Sequence, residues 1–396
     1  MIVVIIKKRK TGVVLVSSII TVLLFTSLLL ANAFYVYSNS AWPMIQMITP
    51  DSFRIVWWSS QTEGSVLHLF GPDAVKRTFN AKRKGFRFEA VASGLEPDSS
   101  YSYEILAINA EGEESILANG EAATAKPEGE PFSFSVFGDS GSGRLKQYQL
   151  AAVMEEYPVD LILHVGDLVY FSGEKKDYLE KFFMPYKNIL ATTPFYPVLG
   201  NHDVKTEKGK PFFDTFSLPD NGPDGIAQER CYWFYYSNAL FVGIDSTLNE
   251  ETLEELVSPW LLNVLSTSEA MWKFVYFHHP PYGSGSKTPD KKIQEILVPV
   301  IEAGGTDIVF NGHDHSYERT LPILNDQIDN ADGVVYIVTG AGGKSLRSKE
   351  RENPYTAVFN SDCYSFTHIE IDETTLKLEQ ISEQNEVIDR LVLEKK

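Results

Sequence analysis

The stretch Phe132-Ser133-Phe134-Ser135-Val136-Phe137-Gly138-Asp139-Ser140-Gly141 decides the architecture: an apolar run breaks at a glycine and delivers a carboxylate in the next residue. The same grammar recurs downstream. Asp160 to Val165 runs into Gly166-Asp167-Leu168-Val169-Tyr170, and Tyr196 to Leu199 into Gly200-Asn201-His202-Asp203. Lys273 to Phe277 runs into His278-His279-Pro280-Pro281-Tyr282, and Asp307 to Phe310 into Gly312-His313-Asp314-His315. Short continuous apolar runs read as strands buried on both faces of an α/β sheet. Leu145 to Glu156, Glu174 to Ile189, Glu251 to Leu265 and Pro289 to Ala303, which lie between them, carry helical periodicity. In open α/β sheets ligands bind beyond the carboxyl ends of the strands, where loops converge, and all five blocks occupy that edge. One Gly-Asp or Gly-Asn pair is ordinary turn chemistry. Five in order, each after a strand, bring carboxylates, imidazoles, an amide and a phenol to one rim.

Upstream, residues 41 to 126 are strand-like and poor in helix, with alternation in Phe53, Ile55, Trp57 and in Tyr101, Tyr103, Ile105. A small all-β sandwich is expected there, with Trp57 buried on its second strand. The stretch Lys76 to Arg87 reads as a solvated hairpin. Ala125-Lys126-Pro127-Glu128-Gly129-Glu130-Pro131 is a polar, proline-bounded joint, so a second domain is expected over residues 130 to 396. Within it, Tyr232 to Ile244 reads as a hairpin turned at Ser237-Asn238, and three strand candidates follow Asp362.

Residues 1 to 33 hold no acid, a basic cluster Lys7 to Lys10, an apolar stretch from Thr11 to Leu30 and the small-residue triplet Ala31-Asn32-Ala33. They read as a signal peptide cut after Ala33, or as an uncleaved N-terminal membrane anchor, and either places the rest outside the cytoplasm. The formal charge is −18, and removing the leader's four basic residues makes it −22. Nucleic acid and anionic membrane surfaces are therefore not expected as partners, and the net charge by itself opposes an approaching phosphate. Cys231 and Cys363 lack metal-site spacing and are either one disulfide or two unpaired thiols.

The five blocks together resemble the calcineurin-like metallophosphoesterases, and Asp167 with Tyr170 narrows the resemblance to the purple acid phosphatases. The likeness continues through Ser316-Tyr317-Glu318-Arg319 and Gly340-Ala341-Gly342-Gly343, and Leu95 to Tyr103 resembles the tyrosine corner of fibronectin type III domains, which related members carry in front. The resemblance implies a multidomain chain: a fibronectin III-like sandwich, then an α/β metallophosphoesterase domain layered αββα. It further implies that Asp139, Asp167, Tyr170 and His315 hold one metal and that Asp167, Asn201, His278 and His313 hold the other. A phenol of ordinary pKa about 10 ligates only a strong, hard Lewis acid, which favours Fe(III) in the first site. Two imidazoles and an amide oxygen suit a divalent ion in the second, Zn, Fe or Mn.

The implied reaction is hydrolysis of small organic phosphate monoesters by a metal-activated hydroxide, with His202 protonating the leaving oxygen. Diester or nucleotide pyrophosphate hydrolysis would use the same metals and is the alternative. A non-enzymatic surface protein is disfavoured because every ligand position is filled by a competent residue. His279 falls where relatives carry non-ligands, and His164 reads as a core histidine. One departure stands out: Tyr282-Gly283-Ser284-Gly285-Ser286-Lys287 lacks a further histidine that relatives use to contact phosphate. Lys287 is either its substitute, a mobile ammonium in a glycine-hinged loop, or a plain exposed lysine.

Overall fold

The computed structural model describes residues 41–60 and 62–395, so the leader expected at residues 1 to 33 lies outside the described residues. Among the described residues no helix is long and apolar enough to cross a membrane.

The N-terminal part is a sandwich of two four-stranded sheets. One runs in the order Met44–Thr49, Ser52–Trp58, Arg87–Ser93, Lys82–Lys84, and the other Lys76–Asn80, Gly64–Phe70, Ser100–Ile108, Glu114–Ala123. Alternation places Phe53, Ile55 and Trp57 from the first sheet and Tyr101, Tyr103 and Ile105 from the second in a shared core. The Glu96 backbone N–H donates to the Tyr101 hydroxyl at 2.9 Å, closing the turn before that strand. Lys76 to Arg87 departs from the expected hairpin. Lys76–Asn80 pairs with the second sheet and Lys82–Lys84 with the first, so the chain changes sheets at Ala81, whose N–H bonds to the Ser65 carbonyl. Its side chains are mostly exposed as expected, because charge patterning reports solvent contact and says nothing of which neighbour a strand pairs with.

The C-terminal part stacks two sheets between helices. A six-stranded sheet runs Phe195–Pro197, Leu161–His164, Phe132–Phe137, Ser365–Asp372, Thr375–Ser382, Val387–Glu394. A seven-stranded sheet runs Tyr232–Tyr236, Ala239–Gly243, Trp272–Tyr276, Ile308–Asn311, Val335–Thr339, Tyr317–Thr320, Thr356–Asn360. The strands that precede the five blocks pair in parallel within each sheet. Phe134 of the first sheet packs against Phe241 and Phe274 of the second, with ring centroids 5.1 Å apart in both cases. Leu150 and Ala151 of helix Leu145–Met154 join this core, whereas Leu261 and Ile301 of helices Ser258–Thr267 and Val298–Ala303 pack with Val275 and Val309 in a second cluster. The helix expected over 289 to 303 is broken at Leu297 into Lys291–Ile296 and Val298–Ala303, where Pro299 opens the second piece. Cys231 and Cys363 are both free thiols.

The two parts share one hydrophobic core. Gln46, fully buried in the first strand, donates to the Phe195 carbonyl at 3.2 Å and accepts from the Ser217 N–H at 2.6 Å. Tyr103 donates to the Ala191 carbonyl at 2.8 Å, and Phe183 sits edge-on to Trp58 at 4.8 Å. Gln46→Leu strands two buried backbone groups and should cost about 2–4 kcal/mol. Because the core is continuous, a urea melt should show one cooperative transition moved to lower denaturant; a separate early transition of the sandwich would contradict this coupling.

Candidate metal centre

All seven predicted donors converge where the carboxyl ends of the two sheets meet. Asp139, Asp167, Tyr170 and Asn201 arrive from the six-stranded sheet, and His278, His313 and His315 from the seven-stranded one. In one half of the pocket the Tyr170 hydroxyl lies 2.8 Å from Asp139 Oδ1 and 3.1 Å from His315 Nε2, which is itself 3.5 Å from Asp139 Oδ1. In the other half His278 Nε2 lies 3.2 Å from Asn201 Oδ1, 3.2 Å from His313 Nδ1 and 3.6 Å from Asp167 Oδ2. Asp139, Asp167 and His278 each offer an atom within 4.8 Å of the other two, so Asp167 stands between the halves.

The backbone aims these groups. The His313 N–H holds Asp139 Oδ2 at 2.7 Å, and the His202 N–H holds Asp167 Oδ1 at 2.8 Å, leaving one oxygen of each carboxylate for the pocket. His278 Nδ1 is bound to the Val165 carbonyl at 2.9 Å and His315 Nδ1 to the Ser345 carbonyl at 2.8 Å. A carbonyl only accepts, so each ring must donate from Nδ1. In the neutral ring Nε2 is then a bare lone pair, aimed at Asn201, Asp167, Asp139 or Tyr170 oxygens. Apart from the Tyr170 hydroxyl, which donates to Asp139, the groups that converge here largely present lone pairs, which fits a bound cation, and the carbonyl contacts are what orient a ligating imidazole.

Electrostatics favour the same occupant. Burial works against a proton on His278, but Asp167 and Asp139 outweigh it and raise its pKa. A field that holds a proton there also draws a metal ion. Burial, then the carboxylates of Asp139 and Asp167, push the Tyr170 phenol well above its ordinary value, so ionising it takes a strong Lewis acid. For Asp167, burial is overcome by His278 and His202, and its pKa is lowered. The donor set therefore suits two cations that share Asp167.

The surrounding residues divide differently from expectation in one place. The loop that carries Lys287 is tied down rather than hinged: Ser284 donates its N–H and hydroxyl to Glu318 at 2.6 and 2.7 Å, and Arg351 donates to the Gly285 and Lys287 carbonyls. A Cβ at Gly285 would collide with the Asp314 carboxylate, so that glycine serves close approach and not flexibility. The Lys287 ammonium is half-buried and near enough to weigh on His313. His202 anchors Nδ1 on the Phe171 carbonyl at 2.6 Å and turns Nε2 to within 3.9 Å of Asp167 Oδ2; burial outweighs that carboxylate and lowers its pKa. His279 bonds Ser246 Oγ at 2.9 Å, and burial with His278 pushes it down to about 3. His164, fully buried against Ser140 Oγ at 2.9 Å, is likewise held to about 3 by burial.

Two contributors escaped the sequence. Asp203 accepts N–H bonds from Asp167 at 2.8 Å, Leu168 at 3.0 Å, Val169 at 3.3 Å and Gly200 at 2.9 Å, clamping two block loops together. Burial, followed by the Asp167 charge, raises its pKa to about 7. Its position directly after His202 was the available signal. The other is the segment from Gly342 to Arg347, whose backbone bonds to Gly138, Asp139 and His315 and so straps the first half of the pocket.

Comparison with known proteins accords with this geometry. The calcineurin-like phosphoesterase family model matches residues 132–317, and the model for the C-terminal region of iron/zinc purple acid phosphatase-like proteins matches residues 333–390, together more than half of the chain. A nucleotide pyrophosphatase/phosphodiesterase of Hordeum vulgare is 26% identical over 289 residues, covering 59% of this chain and 74% of that protein. Purple acid phosphatase 17 of Arabidopsis thaliana is 25% identical over 262 residues, covering 59% of this chain and 75% of the relative. The solved structure of a purple acid phosphatase from yellow lupin (Lupinus luteus) seeds superposes with a TM-score of 0.78 at 16% identity, over 89% of this chain and 74% of that one. With the fold, the convergent donors and both family models in agreement, the chain belongs to the calcineurin-like phosphoesterases, in the purple acid phosphatase branch, and is a phosphoester hydrolase.

Proposed function

We propose that the protein is a dinuclear-metal phosphomonoesterase that releases inorganic phosphate from small organic phosphates. Asp139, Asp167, Tyr170 and His315 would hold Fe(III), and Asp167, Asn201, His278 and His313 a divalent ion, Zn, Fe or Mn. The observation that carries this is the convergence of Asp139, Tyr170 and His315 in one half of the pocket and of Asn201, His278 and His313 in the other, with Asp167 close to both Asp139 and His278. When bound, the cations supply Lewis-acid polarisation of the phosphoryl group and an acidified water.

The chain's own residues do the rest. His202, with Nδ1 fixed on the Phe171 carbonyl, presents Nε2 to the pocket, and in its cationic, doubly protonated form it delivers the Nε2 proton to the departing oxygen and is left neutral. Asn201 and His202 flank the substrate from one loop, and Lys287 adds a positive charge near His313. In the same proposal residues 41 to 126 are a fibronectin type III-like unit, supported by the Tyr101–Glu96 corner, and residues 130 to 396 the catalytic unit. The site works outside the cytoplasm, the protein being secreted or held by its N-terminal segment. The Hordeum vulgare relative, named for pyrophosphate and diester cleavage, makes diester hydrolysis the competing outcome.

Metal-loaded protein should cleave 4-nitrophenyl phosphate with a higher kcat/KM than bis(4-nitrophenyl) phosphate, and the reverse order would replace the monoesterase reading by a diesterase. Tyr170→Phe should remove the visible charge-transfer band of the iron-loaded protein; a colourless, iron-free and fully active wild type would refute Fe(III) in the first site. His202→Ala should lower kcat on an alkyl phosphate by about 10²–10⁴-fold and less on 4-nitrophenyl phosphate, whose leaving group needs little protonation. Equal losses on both substrates would remove His202 from proton delivery.

A further inference from the structure

Lys344, Arg347, Lys205 and Lys287 each lie beside a residue of the metal pocket or its rim. The Lys344 ammonium sits 4.6 Å from the centre of the Tyr170 ring and 3.7 Å from that of Phe171, itself 64% exposed. Arg347 Nη1 donates to the His313 carbonyl at 3.0 Å, and Lys205 Nζ lies 3.0 Å from His202 Nδ1. In a chain with 53 acidic and 35 basic residues, none of these four cations forms an ion pair with a carboxylate among the described residues. The charges that act most strongly on Lys344 are three further cations, Arg144, Lys181 and Arg347, ahead of Asp167. Like charges gathered without counterions are unfavourable, and the unfavourable energy is relieved when an anion binds among them.

We propose that Lys344, backed by Arg347, forms a second anion subsite beside the metal pocket, and that the substrate is a phosphate monoester carrying a second phosphoryl group on the same small molecule. This rests on the phosphomonoesterase reading and adds a binding contact to it, with no further bond made or broken. The subsite adjoins the donor set, because Lys344 covers a ring whose hydroxyl belongs to it. Half-burial and the cation–π contacts on Tyr170 and Phe171 hold the ammonium in place, which favours a fixed anion position over diffuse attraction. The net charge of −18 does not oppose this at the mouth, since charges beyond about 8 Å are screened at physiological salt and the nearby rim sets the local field.

Fructose 6-phosphate and fructose 1,6-bisphosphate differ by one phosphoryl group and test the idea on metal-loaded full-length protein. Wild type should prefer the bisphosphate by about ten-fold in kcat/KM, Lys344→Met should abolish most of that preference through KM, and Lys344→Arg should keep it. Methylenediphosphonate should likewise inhibit wild type more tightly than methylphosphonate, and Lys344→Met should narrow the gap. Equal use of the two sugars by wild type, or equal losses on both in Lys344→Met, overturns the subsite and leaves the monoesterase reading intact. Wild-type failure on both sugars and on 4-nitrophenyl phosphate overturns the monoesterase reading and the subsite with it.

Discussion

Two carboxylates within 4.8 Å of one another and a phenol 2.8 Å from one of them, in a pocket walled by apolar strands, repel each other whenever they are charged. The rest of the structure answers that constraint. Backbone N–H groups take one oxygen of Asp139 and one of Asp167, and the buried Asp203 gathers the N–H groups that would otherwise be left over where two loops turn. Each of these contacts uses a fixed dipole in place of a mobile counterion. The arrangement is thus shaped by contacts within the chain, while its outstanding need for positive charge stays aimed at the centre.

Such aiming carries a conformational cost. Asp139, Asp167 and His313 all adopt the left-handed region, with φ of 55°, 57° and 68°. Residues other than glycine held there cost on the order of 1–3 kcal/mol each when the region is sparsely allowed, and persist only where their surroundings over-determine them. Here the surroundings are the almost wholly buried strands immediately before, and glycines that let backbones meet: a Cβ at Gly200 would strike Asp167, and one at Gly312 would strike Asp139. The glycines of the five blocks therefore belong to the site as much as the donors do.

That explains why so much of the site could be read from the sequence. Phe132–Phe137 falls on its expected bounds, and the other four strands lie within a residue or two, because buried strands must be continuously apolar and donors at their exits must be polar. The donors follow from the strands. What could not be read acts through the backbone: the Ser345 carbonyl that orients His315 and the bonds of the strap to Gly138 and Asp139 involve atoms that every residue possesses. Lys344 and Arg347 lay beyond the last block and offered only charge, which in an acidic chain reads as solvated surface. Asp203 was visible as a letter but not as a clamp, since its partners are main-chain groups three to thirty-six positions away.

The division of donors between sheets makes core packing part of the chemistry. Neither sheet completes either half of the pocket: His315 must reach the six-stranded sheet's Asp139 and Tyr170, and Asn201 must reach the seven-stranded sheet's His278. The distance between the sheets is set at the aromatic seam, where Phe134 meets Phe241 and Phe274, and that seam is packed too densely to yield without a shift of whole strands. A displacement of one ångström between reacting groups is enough to cost about a hundredfold in rate. The aromatic seam and the strap across the first half of the pocket thus bear on one quantity, the separation of donors that belong to different sheets.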